Sequence, residues 1–194
     1  MLFGLIIYYI SLIFVKDFSN FYKDIKRMET KLERVLTGSH KEEMISYLSA
    51  HPEDFEEAIK LAIADKQPYS WRAAWVLWSC MDEKDGRLQD YAKIIIKILP
   101  DRKYNQQREL LKILQKLEID EELEGLLFEL CVTLWKDISN QASVRYNAFK
   151  LLVKFAQKYP ELSSEISFLT GSQYVNSLSA GVKRCVSKMM KGIR

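Results

Sequence analysis

Ala64-Asp65-Lys66-Gln67-Pro68-Tyr69-Ser70-Trp71-Arg72-Ala73-Ala74 decides how this chain is read. One helix, with Pro52 in its first turn, runs up to Asp65. Gln67-Pro68 marks a short turn, because proline cannot continue the helix before it. Ser70 then caps a second helix predicted to reach about Met81. Helix, tight turn and helix within about thirty residues is a unit that can be stacked, and such units are expected to recur along a chain.

The copies come at a regular interval. Arg72, Arg108 and Arg145 each fall near a predicted helix start, with Lys41 before them and Lys183 after. Asp65, Asp101 and Asp137 recur every 36 residues, each shortly before its arginine. Counting past the basic residue aligns Met44, Trp75, Leu111, Ala148 and Val186 in one apolar column. Tyr47, Trp78, Leu114, Leu151 and Met189 form another. Period and capping signals predict helices over 39–50, 52–65, 70–81, 87–99, 104–117, 121–135, 141–159, 161–169 and 176–190, and no strand of any strength. Seven Gly and four Pro in 194 residues are too few for the many turns of a sandwich or barrel.

A helix ending in Asp, a short turn with Pro, and a second helix opening with an apolar residue, Arg and a small residue resembles the HEAT repeat of the armadillo-type α-solenoids. Residues 64–74 and Ser143-Val144-Arg145-Tyr146-Asn147-Ala148 carry the resemblance best. The copies around Arg108 and Lys183 lack the turn proline, and the one at 183 also lacks the aspartate. The resemblance covers about residues 39–194. It implies an all-α, right-handed α-α superhelix of four to five helical pairs, with residues 1–38 as a separate N-terminal helical segment. It also implies that Asp65 with Arg72, Asp101 with Arg108 and Asp137 with Arg145 form a structural ladder joining turns to helices. Such a scaffold serves many unrelated roles, so function has to be argued from particular residues.

Charge is polar along the chain: residues 1–38 carry 6 basic and 4 acidic groups, 39–138 carry 14 and 20, and 139–194 carry 9 and 2. Lys150, Lys154 and Lys158 recur every four residues as one stripe, and Lys183, Arg184 and Lys188 extend the basic end. These six are the candidate contacts for an external partner, expected to be another protein. Trp71, Trp75 and Trp78 lie along one helix face, and Asp82 continues the line. This spacing is similar to the Trp and Asp of the HEAT-like alkylpurine DNA glycosylases, which implies an alternative base pocket and a nucleic-acid partner. Against that, the aligned columns are apolar elsewhere, so the indoles are expected in the core, and the acidic middle of the chain has the wrong sign for a DNA backbone.

His40 and His51 lack metal-ligand spacing, and no phosphate-binding glycine loop or nucleophile motif is present, so neither metal nor cofactor is expected. Cys80, Cys131 and Cys185 read as reduced thiols of a cytoplasmic protein. Leu2–Val15 is apolar but short for a membrane span. It reads as an extra helix docked on the solenoid, as a weak membrane anchor, or as sequence upstream of a natural start at Met28. Together these readings describe a non-enzymatic interaction or scaffold module whose repeats fold without residues 1–27.

Overall fold

The computed structural model describes residues 29–193; the readings of Leu2–Val15 and of residues 16–28 fall outside them. Twelve helices are described: α1 Lys31–Gly38, α2 Lys41–Ala50, α3 Phe55–Ile63, α4 Tyr69–Cys80, α5 Gly86–Gln89, α6 Ala92–Ile98, α7 Tyr104–Lys116, α8 Glu121–Lys136, α9 Ala142–Lys158, α10 Ser163–Phe168, α11 Ser172–Val175 and α12 Ala180–Lys191. They pair as α1 with α2, α3 with α4, α6 with α7 and α8 with α9, and α10 and α12 both lie on α9. The second members α2, α4, α7, α9 and α12 stack in that order, and α3, α6 and α8 form a layer beside them. This is the all-α HEAT-like solenoid that the spacing predicts.

Local sequence explains most helix ends. Thr30 opens α1 with a capping box, its hydroxyl accepting from Glu33 N while its own N–H donates to the Glu33 carboxylate. Helix α2 opens at His40, whose N–H donates to the Glu43 carboxylate at 3.1 Å. Ser70 sits inside α4 and does not cap it, and its Oγ is bonded to the amide and carbonyl of Lys66. The helix predicted over 87–99 breaks at Asp90–Tyr91, where Tyr91 N reaches back only three residues to Leu88 O. The helix predicted over 176–190 starts later, because Ser179 caps it by accepting from Val182 N.

One core runs the length of the stack. Leu32 and Leu36 of α1 are buried in it together with Leu77, Leu110, Leu114, Phe149 and Leu152. The segment before residue 39 therefore contributes a helix to the repeat core. Each fully buried leucine contributes about 2 kcal/mol. At the C-terminal half, the Trp135 indole is completely buried, tilted against Phe149 at 4.4 Å and donating to Leu169 O at 2.7 Å.

Burial also sets the repeat register. Ala73, Leu110, Ala148 and Val186 are buried at steps of 37, 38 and 38 residues, and Leu77, Leu114, Leu152 and Met190 repeat those steps. The arginine spacing of 36 and 37 is one residue shorter, so Arg72, Arg108 and Arg145 do not occupy equivalent positions. Among the described residues none of them forms an ion pair with Asp65, Asp101 or Asp137 respectively. Arg72 donates to Leu36 O and Ser39 O at the end of α1. Arg108 is half-buried, 2.7 Å from Glu109. Arg145 is 1% exposed and donates to Trp135 O, Tyr174 O and Ser177 Oγ. Asp137 closes a turn on Ser139. What recurs in register is a buried polar side chain, Ser70, Gln107 or Arg145, bonded to backbone in or just before the turn of its own pair.

Candidate functional site

Polar and aromatic side chains converge on the second helices. In the burial register Trp71, Arg108, Tyr146 and Arg184 form one column, and Trp75, Lys112, Lys150 and Lys188 the next. The N-terminal part of this face is an open cleft of about 430 Å³, lined by His40, Lys41 and Met44 of the α2 end, Trp71, Arg72 and Trp75 of α4, and Arg108 and Glu109 of α7. Three successive second helices therefore share one depression.

All three indoles are half-buried; Trp75 and Trp78 pack against the core, as their column predicts, whereas Trp71 is not part of it. Helix α4 meets the core chiefly through Ala73, Ala74, Val76 and Leu77, which leaves Trp75 and Trp78 at the margin of the core. Each ring faces a cation: Lys41 Nζ lies 5.7 Å from the Trp75 centroid, the Arg72 guanidinium 5.3 Å from Trp71, and Lys112 Nζ 3.4 Å from Trp78. Lys150 repeats the contact on the next helix, 5.1 Å from the Tyr146 ring. Asp82 does not extend the indole row. Helix α4 stops at Cys80, Met81 is extended, and Asp82 is exposed with its N–H on Asp85 and does not line the cleft.

Glu109 is the buried carboxylate of the face, 1% exposed, holding Arg108 and Lys112 at 2.7 Å each. One carboxylate serves two cations, so the cluster keeps one net positive charge. Burial pushes the Lys112 ammonium pKa down, and the hydrogen bond to Glu109 opposes it.

The Lys150–Lys154–Lys158 stripe divides. Lys154 donates to Gln115 O and Leu117 O at the end of α7, and burial lowers its pKa. Lys116 does the same one repeat earlier, donating to Trp78 O and Met81 O at the end of α4. These bonds bring the C-terminal ends of α4, α7 and α9 together, so the three helices run parallel. Lys158 is paired with Glu124 at 2.7 Å, which Tyr159 also binds. Among the described residues Lys150, Lys183, Arg184 and Lys188 have no carboxylate within 4.0 Å. Of the candidate contacts, these four remain available on the second-helix face and its end.

Lys41, Lys112 and Tyr146 belong to this face although sequence reasoning did not select them. The signal that finds Lys112 and Tyr146 is the register of 37 and 38 residues, which small buried residues such as Ala73 and Ala148 set. Among the described residues no helix is long and apolar enough to cross a membrane.

A search of curated proteins and of solved structures finds no match to the chain. A scan against protein families matches residues 28–193 to the HEAT repeat domain. With a stacked two-layer solenoid over nearly the same residues, the chain belongs to the HEAT repeat domain family.

Proposed function

We propose that this protein is a non-enzymatic interaction module that holds another protein on the face of its second helices. One observation carries the reading: charge segregates by layer. The five second helices hold thirteen basic and three acidic residues. Their counterparts α1, α3, α6, α8 and α10 hold six and eight. A basic, aromatic face repeated along a stack is an extended surface of uniform character, which suits a long contact better than a single reaction centre. HEAT repeat domains as a class mediate protein–protein contacts, which agrees with this use. A cytoplasmic setting fits the three unpaired cysteines, of which Cys131 is fully buried.

The test is affinity capture from native lysate with and without nuclease, using the natural chain, a Lys150→Glu/Lys188→Glu variant and a Lys93→Glu/Lys97→Glu variant changed in α6. A protein retained after nuclease, lost with the second-helix variant and kept by the α6 variant is expected. Retention that depends on nucleic acid, or loss through α6 alone, overturns the reading.

A further inference from the structure

Resting on that reading, we infer that the second-helix face is a track for an extended acidic peptide segment with a carboxylate at about every third residue. The spacing follows from two lengths. Packed helices lie roughly 8–10 Å apart, and an extended chain advances about 3.3 Å per residue, so a crossing segment meets a new helix every three residues. The face offers matching charge at that interval. Lys41 stands on α2, the Arg108–Lys112 pair with its one surplus charge on α7, Lys150 on α9, and Lys188 on α12. Between Lys41 and Arg108, α4 presents Trp71 and Trp75 over the 430 Å³ cleft, which has room for an apolar or aromatic side chain of the segment.

A peptide fits this face better than a nucleic acid strand. A phosphodiester track needs a continuous row of cations free to release counterions. Here Arg72, Lys116, Arg145 and Lys154 are turned onto backbone carbonyls, and Arg108, Lys112 and Lys158 onto carboxylates. What remains is one site of positive charge on each of α2, α7 and α9, an aromatic interruption at α4 and a group of cations on α12, a spaced pattern that side chains at intervals can match better than a uniform polyanion.

The experiment uses the full chain and fluorescence anisotropy with three labelled probes. The first is a 15-residue peptide with Glu at every third position and one Phe placed to meet α4. The second has the same composition with its Glu residues contiguous, and the third is a 20-nucleotide single strand. The periodic peptide is expected to bind at least tenfold more tightly than either other probe. Lys150→Glu/Lys188→Glu and, separately, Trp75→Ala are each expected to weaken it tenfold or more, while Lys93→Glu/Lys97→Glu leaves it unchanged. Circular dichroism and melting of every variant confirm that folding is retained, and Lys188→Gln supplies a milder exposed change if Trp75→Ala unfolds. Equal binding of the two peptides, tighter binding of the oligonucleotide, or indifference to the second-helix variants overturns the inference. A captured protein that docks on this face through a segment without acidic residues overturns the track while leaving the interaction reading standing.

Discussion

Arg145 brings a permanent charge to a position 1% exposed, and no carboxylate lies within 4.0 Å of it among the described residues. Burial lowers its pKa, with the Asp137 charge acting in the opposite sense. Two backbone carbonyls and Ser177 Oγ satisfy it, joining the end of α8 to the α11 region. Arg145→Met strands those acceptors, and a loss on the order of 3 kcal/mol is expected in urea unfolding. Arg145→Lys should recover less than half, because one ammonium cannot span the positions the guanidinium reaches. Glu124 offers a pH test. Burial raises its pKa, but hydrogen bonds from Lys158 and Tyr159 outweigh burial and hold it below the usual glutamate value. A carboxyl depressed in the folded state stabilises fully above the unfolded value and loses that contribution as pH falls through the folded one. The urea midpoint of the natural chain should therefore exceed that of Glu124→Gln at pH 7, and the gap should narrow below about pH 4.

At the scale of the helix, the recurring device is a cation from one repeat placed on the open carbonyl end of the helix before it. Lys116 caps α4, Lys154 caps α7 and Arg72 caps α1. Lys116→Met and Lys154→Met should each cost about 1 kcal/mol, the size of a helix-end charge interaction. Additivity of the pair, measured by chemical denaturation of the double variant, is expected because the two lysines serve different helix ends. This is also where legibility from sequence ended. Period and caps located the helices, since Glu121–Lys136 and Tyr104–Lys116 declare themselves by apolar stripes between turn residues. The register did not follow from the charged residues, because arginines at steps of 36 and 37 mimic a repeat whose packed positions step by 37 and 38. Small buried residues carry the true register, and alanine at Ala73 or Ala148 looks unremarkable in a linear chain. The same shift obscured the polar face of the second helices, because it left Lys112 and Tyr146 without a column. Charge summed along the chain gave an acidic middle, whereas within it the second helices α2, α4 and α7 hold five basic and three acidic residues and α3, α6 and α8 hold four and six.

For the whole molecule, the governing fact is that each second helix touches only its neighbours in the stack. Among the described residues, helices α4, α7 and α9 are packed on both sides by other second helices, whereas α12 packs mainly on α9. Helix α12 carries exposed Arg184, Ser187 and Lys188, while Val186 and Met190 turn inward. When stability is a sum of local and nearest-neighbour terms, the element with one neighbour opens at lower free energy than those with two. Amide hydrogen exchange should therefore find α12 the least protected of these four helices, and α7 and α9 protected close to the global unfolding free energy. Two substitutions separate this from uniform cooperativity. Leu114→Ala, at a fully buried site between α4 and α9, should lower global stability by about 3 kcal/mol and deprotect the stack together. Met190→Ala should raise exchange in α12 and leave α4 nearly untouched. Equal protection of α12 and α7, with both substitutions acting on all helices alike, would show that these helices unfold as a single unit and that α12 does not loosen separately.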